Sequence, residues 1–182
     1  MKMYTLAIIG LFLAANAHAD GDIKKTGTMK IDAGADRATT LHIGCSSDSD
    51  GGALVIEITV SDAYTKKDFD YDDFEGPDSP AGALSHVDWI TDAHTTSITT
   101  KASGSYIPEP PDAFQFGIDE YSRRKSAGAT LLSAFNDQPG KLVWTQMSFD
   151  KSRRKLVASF DFDASEARHI HDLTVACLPK KR

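Results

Sequence analysis

The 182-residue chain is short of cysteine, of positive charge and of long apolar runs. It has 20 lysine and arginine residues against 26 aspartate and glutamate residues, and its formal net charge is −6. Such acidity argues against binding to nucleic acid or to an anionic membrane surface, and it is compatible with a cationic protein partner. Beyond the amino-terminal segment no stretch is apolar enough to cross a bilayer, so we expect no membrane insertion.

Familiar catalytic and cofactor signatures are also missing. The chain has no Gly-x-Ser-x-Gly, His-Glu-x-x-His or Cys-x-x-Cys pattern, and it has no glycine-rich phosphate loop. Residues distant in sequence could still converge in space, so missing motifs lower the case for catalysis without excluding it. We expect a protein that is not an enzyme, with no cofactor and no metal site.

Residues 1–19 have the composition of a secretory signal peptide. Lys2 precedes an apolar run from Leu6 to Ala15, and the small residues Ala17 and Ala19 stand just before Asp20. The run is too short to span a bilayer, and its ending fits a cleavage site. We therefore expect an exported chain in which residues 20–182 form a single domain.

The two cysteines, Cys45 and Cys177, are far apart in the chain. In an exported protein such a pair is most simply interpreted as one structural disulfide. The alternative, a reactive thiol or metal-binding pair, lacks other ligands at a suitable spacing.

Alternating hydrophobic residues predict a mainly β fold. We expect antiparallel strands packed as a β-sandwich, with hairpins and further strands at residues 40–45 with 53–60, 141–149 with 155–162, 87–90, 95–101 and 113–118. Residues 20–38 are expected to be a loosely held start with one strand at 28–32. Residues 61–86 are expected to form a short strand followed by a loop.

Two segments have the spacing of short helices. Residues 122–136 place apolar side chains on one helical face, although Gly128 weakens the pattern. Asp163 and Glu166 have the spacing of a capping box, and a stripe from Ala167 to Cys177 follows them. A disulfide from Cys177 would pin this carboxy-terminal helix to the strand that ends at Cys45.

An acidic cluster alternates with aromatic residues between positions 68 and 78. Its acids are Asp68, Asp70, Asp72, Asp73, Glu75 and Asp78. Calcium binding is one interpretation, but the pattern does not match an EF-hand loop, which needs glycine at its sixth position. A solvated edge with its aromatic residues facing inward explains the pattern better, and a patch for a basic partner is the remaining alternative.

Residues 102–111 read Ala-Ser-Gly-Ser-Tyr-Ile-Pro-Glu-Pro-Pro and predict a stiff loop that exposes Tyr106. Gly104 permits unusual backbone angles, and three prolines restrict the exit from the loop. A rigid loop presents side chains to a partner at little entropic cost. The alternative is an ordinary hairpin turn with Tyr106 packed on the sheet.

Ser103-Gly104-Ser105-Tyr106 resembles the Ser-Gly-x-Tyr pattern of bacterial periplasmic lysozyme inhibitors. The resemblance implies an exported, acidic, β-rich domain in the periplasm of a Gram-negative bacterium. It also implies that the loop enters the cleft of a basic peptidoglycan-cleaving hydrolase, with Ser103, Gly104, Ser105 and Tyr106 as the partner-binding residues. The three prolines and the terminal helix depart from the short inhibitors of that group.

The arrangement of strands, helix and cysteines also resembles exported accessory proteins of type VI secretion systems and periplasmic immunity proteins. Both resemblances imply a protein-binding module. We therefore expect an inhibitor or immunity protein directed at a peptidoglycan hydrolase. The alternatives are a secretion accessory or envelope structural protein without inhibitory activity, and a domain that binds calcium or a small ligand.

Overall fold

A computed structural model of the chain describes residues 21–46, 53–76, 84–101, 103–121, 126–149 and 153–178. The predicted signal peptide, residues 1–19, lies outside these ranges, as do Asp78 and Ala102. The nine strands are β1 Gly21–Ile31, β2 Arg37–Ser46, β3 Ala53–Val60, β4 Leu84–Ile90, β5 Thr95–Lys101, β6 Ser103–Ile107, β7 Ala113–Tyr121, β8 Gly140–Met147 and β9 Lys155–Phe162. The helices are α1 Ala63–Lys66, α2 Ala127–Leu132 and α3 Ala164–Cys177, with a 3₁₀ turn at Asp72–Phe74.

The mainly β, antiparallel fold expected from the sequence is confirmed. All nine strands belong to one sheet in the order β5-β4-β8-β9-β1-β2-β3-β7-β6. β5 and β6 lie at opposite edges of this sheet, yet a single residue separates Lys101 from Ser103 in the chain. Their Cα atoms are therefore at most about 7.6 Å apart, and the sheet must curl until its two edges meet at one corner. The described strands thus form one curled sheet and not two separate ones.

The core lies on the concave side of this sheet, because alternate residues of strands such as β3, β8 and β9 are buried there. In β3, for example, Leu54, Ile56, Ile58 and Val60 are buried, and the residues between them are partly exposed. Helix α2 contacts both β5 and β3, and α3 contacts β2 and β3. The two helices therefore fill the interior of the curl.

Helix α3 begins and ends as its sequence predicts. Asp163 accepts a hydrogen bond from the backbone N–H of Glu166, and the Glu166 side chain accepts one from the backbone N–H of Asp163, which completes the capping box. At the other end Cys177 forms a disulfide with Cys45 of β2, with 5.9 Å between their Cα atoms. The predicted disulfide and the pinned helix are both confirmed.

Three local predictions were wrong. The start of the chain is not loose, since β1 runs the full eleven residues from Gly21 to Ile31. Residues 61–76 contain α1 and the 3₁₀ turn where a strand was expected, so the described residues form three α-helices where two were expected. Helix α2 is also shorter than expected and spans only Ala127–Leu132.

The prediction of an exposed loop at residues 102–111 was wrong in its main part. Ser103–Ile107 form the edge strand β6, which pairs with β7 from Ser103 opposite Gly117 to Ile107 opposite Ala113. The prolines lie in the turn that follows, at residues 108–112. Proline lacks a backbone donor and suits a turn better than a paired strand, so the stiff region begins after Tyr106.

Candidate functional site

The segment from Lys67 to Gly76 lies across β7 and is held there by its aromatic side chains. Phe69, Tyr71 and Phe74 are buried, which confirms that the aromatic residues of the acidic cluster face inward. The ring centroid of Phe74 lies 5.3 Å from that of Phe116, and the centroid of Tyr71 lies 5.2 Å from that of Phe114. Alternation therefore directs neighbouring carboxylates, such as the exposed Asp72, outward.

The same segment is tied to β6 at its far end. The backbone N–H of Gly76 donates to the carbonyl of Gly104 at 3.0 Å, and Glu75 forms a parallel bridge with Gly104. Further along β6, the hydroxyl of Tyr106 donates to a carboxylate oxygen of Asp72 at 2.9 Å. The structure thus brings the acidic cluster and the Ser-Gly-x-Tyr residues together on one surface.

Each residue of the Ser-Gly-x-Tyr pattern has a structural position in β6. The Ser103 hydroxyl donates to the carbonyl of Gly117 at 3.2 Å, and Ser105 is exposed. A Cβ atom at Gly104 would collide with the ring of Phe114 and would lie 2.6 Å from the carbonyl of Gln115. Glycine is therefore required at this position by close packing, without any need for unusual backbone angles.

Tyr106 is partly buried, and it is not the tip of a projecting loop. Its ring meets Phe114 edge-on with 5.0 Å between centroids, and it meets Tyr64 of α1 edge-on at 6.2 Å. The packing on the sheet agrees with the alternative interpretation of this segment. The hydroxyl nevertheless reaches the surface beside Asp72, where a partner could contact it.

A pocket of about 330 Å³ opens between α1, the acidic segment and β6. Its aromatic walls are Tyr64, Phe69, Tyr71 and Tyr106. Its charged groups are Lys67, Asp70, Asp72 and Arg154. We call this cavity the Tyr106 pocket.

Helix α1 is placed against the pocket by Asp112, the turn residue immediately before β7. The Asp112 carboxylate accepts hydrogen bonds from the backbone N–H groups of Tyr64 at 2.7 Å and Thr65 at 3.0 Å. The carbonyl of Asp112 accepts a third from Ala63 at 2.9 Å. A single turn residue beside the sheet therefore orients the helix that carries Tyr64.

The electrostatics of the pocket raise the pKa of two tyrosines. Burial raises the pKa of Tyr106, the hydrogen bond to Asp72 adds to this, and the negative charges of Asp72, Glu75 and Asp70 act in the same direction. Burial also raises the pKa of Tyr71, and Asp68 adds to the effect while Arg37 opposes it. Both phenols stay protonated at neutral pH and can donate hydrogen bonds.

Beneath the pocket lies a group of buried polar atoms. Arg37 forms an ion pair with Asp68 at 3.0 Å, and the guanidinium of Arg154 donates to the Asp68 carbonyl at 2.6 Å. The hydroxyl of Tyr71 is buried beside Arg37, whose charge and side-chain hydrogen bond lower the pKa of the phenol against the effect of burial.

Sequence reasoning missed a second cluster, centred on His42 on the convex side of the sheet. The two imidazole nitrogens of His42 face carboxylates of Asp22 on β1 and Glu57 on β3, with 2.8 Å to the Glu57 oxygen. The Gln115 side chain of β7 donates to the same Glu57 oxygen at 2.6 Å. A row of four polar side chains thus crosses four neighbouring strands, and only the strand order and register could have predicted it.

Two further kinds of site concern the residues that the structure describes, namely a metal site and a membrane-spanning helix. Within those ranges, no three His, Cys, Asp or Glu side chains lie close enough together to hold a metal ion. None of the described helices is long and apolar enough to cross a membrane.

The chain matches no family model, and neither a curated protein nor a solved structure matches it.

Proposed function

We propose that the protein is an exported, non-catalytic binding protein of the inhibitor or immunity type. Its partner would be a basic peptidoglycan-cleaving hydrolase, such as a lysozyme, met in the periplasm. The observation that carries this proposal is the hydrogen bond from Tyr106 to Asp72. It joins two features, the Ser-Gly-x-Tyr residues and the acidic segment, that the sequence suggested separately as contacts for a basic partner.

The proposed mode of binding is docking of a surface and not insertion of a loop. The surface consists of β6, the acidic segment at residues 68–75 and the exposed Tyr64 of α1, which leaves 65% of its area open to solvent. Tyrosines at the centre and carboxylates around them suit an interface in which aromatic side chains supply contact area. The negative charge would speed the approach of a cationic enzyme and orient it.

Inhibition would follow from steric occlusion of the enzyme's cleft, because the bound domain would block the substrate glycan. No chemical step on the side of the inhibitor is needed. Ser105 and Tyr106 would contribute hydroxyl groups to the contact, since one is exposed and the other reaches the rim of the pocket.

The proposal is tested by measuring binding of the purified protein to purified lysozymes and to hydrolases encoded beside it. We expect a stable complex with at least one of these enzymes and loss of its cell-wall-cleaving activity on titration. If none of them binds or is inhibited, the proposal is wrong, and an envelope or secretion accessory role becomes the better interpretation.

A further inference from the structure

We propose that one end of the convex face binds an anionic lipid surface peripherally. The site is a patch in which apolar side chains that reach solvent stand between two lysines, and we call it the Phe149 patch. Its members are Lys101, Leu84, Met147, Lys155 and Phe149. None of them lines the Tyr106 pocket, so the inference goes beyond the proposed hydrolase partner and does not depend on it.

The register of four neighbouring strands places four of these side chains in one row. Lys101 of β5 lies opposite Leu84 of β4. Met147 of β8 lies opposite Lys155 of β9. The register between β4 and β8, extended by one residue, sets Leu84 opposite Met147. A lysine therefore flanks the apolar pair on each side.

Phe149 extends the apolar part of the row beyond the end of β8. Side chains alternate between the two faces of a sheet, so Phe149 and Met147 share the outer face while Ser148 between them is buried. The backbone N–H of Ser148 donates to the carbonyl of Arg154 at 2.8 Å, which continues the pairing with the strand opposite. Phe149 leaves 49% of its surface exposed, and Leu84 leaves 45%. Single exposed apolar residues are common, but neighbouring ones indicate a contact surface.

Among the described residues around the row, cations outnumber carboxylates. Arg153 is exposed and adds to the two lysines of the row. The carboxylate beside them is Asp32, which accepts a hydrogen bond from the backbone N–H of Lys155 at 2.8 Å. Residues 150–152, Asp-Lys-Ser, add no net charge. The patch is therefore cationic, although the whole chain is acidic.

The net charge of −6 does not cancel this local charge. At physiological ionic strength, charges more than about 8 Å apart are largely screened from each other. Lys30 and Asp36, in and just after β1, have opposite signs and balance each other. The charges nearest the patch therefore govern its contact with a charged surface, and net charge alone does not reveal them.

A lipid surface suits this patch better than a folded partner does. Leu84 begins β4 and Phe149 follows the end of β8, so the exposed apolar residues lie at strand ends on a convex face. A convex face needs a partner of matching concavity, whereas lipid headgroups rearrange around it. Apolar side chains enter the boundary between headgroups and acyl chains, and lysines extend their ammonium groups to the phosphates.

The first arm of the test measures co-sedimentation of residues 20–182, the form expected after export, with two kinds of vesicle at physiological salt. One kind is pure phosphatidylcholine, and the other is phosphatidylcholine and phosphatidylglycerol in equal parts. We expect the mixed vesicles to bind at least about fivefold more tightly than the neutral ones, and high salt to weaken that binding. If the mixed vesicles do not bind, or if both kinds bind equally, the inference is wrong and an acidic protein becomes the better partner for the patch.

The second arm locates the apolar contact with a matched pair of variants. Phe149→Ser should weaken binding to the mixed vesicles about fivefold or more, because it removes the most exposed apolar side chain of the patch. Val175→Ser is the control, since Val175 is 56% exposed on α3 near Cys177, which is bonded to Cys45 near the end of β2 far from the patch. If the two variants weaken binding equally, the patch is not the site and the inference fails.

The third arm tests the charge in the same way. Lys155→Gln should weaken binding to the mixed vesicles about fivefold, the effect of one lysine at an anionic surface. Lys141→Gln should change it less than about twofold, because Lys141 lies roughly 20 Å from Met147 along β8 and forms an ion pair with Asp161. Both lysines are exposed, so neither variant should impair folding. Equal losses in the two variants would show attraction without a defined site and would overturn the inference.

Discussion

The hydroxyl of Tyr106 donates a hydrogen bond to Asp72 across 34 residues of sequence. The bond joins the edge strand β6 to a segment that lies over β7, and it stands at the rim of the Tyr106 pocket. It also fixes the geometry of the proposed binding surface, because the ring of Tyr106 can no longer turn freely toward solvent. Five predictions follow from the contacts around this bond, from the disulfide and from the row of polar side chains around His42.

The first prediction concerns the pH dependence of stability. Both phenols, Tyr106 and Tyr71, have a raised pKa in the folded protein, compared with the ordinary value of 10.0. Above pH 10 the unfolded chain releases phenol protons that the folded chain keeps, so stability is full below pH 10 and falls as the pH rises further. Urea denaturation at about pH 9 and about pH 11 measures the difference.

Tyr71→Phe and Tyr106→Phe are the controls for that measurement. Each removes one phenol and should reduce the loss of stability between the two pH values. An Asp72→Asn variant should also lower the pKa of Tyr106, seen as ionisation at lower pH in ultraviolet difference spectra, because it removes a negative charge and alters the hydrogen bond. An unchanged titration in Asp72→Asn would contradict the described contact.

The second prediction concerns Gly104. Because its backbone passes close to Phe114 and to the carbonyl of Gln115, Gly104→Ala should destabilise the fold by about 1–3 kcal/mol. Ser105→Ala, one residue further along the same strand and exposed, should change the free energy of unfolding by about 0.5 kcal/mol or less. Chemical denaturation of both variants checks the prediction, and equal stabilities would show that β6 does not pack as described.

The third prediction concerns the disulfide between Cys45 and Cys177. Replacing both cysteines by alanine should lower the free energy of unfolding by about 2–5 kcal/mol, because the bond closes a long loop in the unfolded chain. Denaturation of the native chain with and without reductant should give a loss of similar size. A stability that is insensitive to both changes would contradict the pinning of α3.

The fourth prediction concerns the row of polar side chains around His42. His42→Ala should lower stability by about 1 kcal/mol, because it removes a partner from two carboxylates on neighbouring strands. Lys141→Ala is the control, since Lys141 on β8 makes an exposed ion pair with Asp161 at 3.3 Å and lies outside the row. If both variants have the same stability, the row contributes nothing beyond an ordinary surface charge.

The sequence predicts the elements whose patterns are strong. β2 and β3, β8 and β9, and the capped helix α3 all have clear periodicity, and the two cysteines allow only one intramolecular disulfide. Strand β1 was largely missed because polar residues fill it from Lys24 to Thr28. It is a strand because it pairs with β2 over nine residues and with β9 over four, which are contacts that no local pattern records.

The candidate site could be predicted only in part, for a similar reason. Alternation of aromatic and acidic residues correctly predicts that Phe69, Tyr71 and Phe74 face inward. It cannot predict that this segment lies beside β6, because their meeting depends on the order of strands in the sheet. The prolines misled the interpretation of residues 102–111, since they belong to the turn and not to the strand before it.

The fifth prediction concerns the proposed interface itself and is the most direct test. The measurement is the dissociation constant of the complex with a purified lysozyme or an adjacently encoded hydrolase, at low and at physiological salt. We compare the native chain with Tyr106→Ala and Asp72→Asn. The control is Asp161→Asn, which removes an exposed charge seven residues beyond Arg154, at about 20 Å along β9.

If the surface around Tyr106 is the interface, Tyr106→Ala should weaken binding about tenfold or more, as expected for an aromatic residue at the centre of a contact. Asp72→Asn should weaken it less and reduce its dependence on salt, because one attractive charge is lost. Asp161→Asn should leave the dissociation constant unchanged. If the native chain binds tightly and the Tyr106→Ala and Asp72→Asn variants bind equally tightly, the surface around Tyr106 is not the interface.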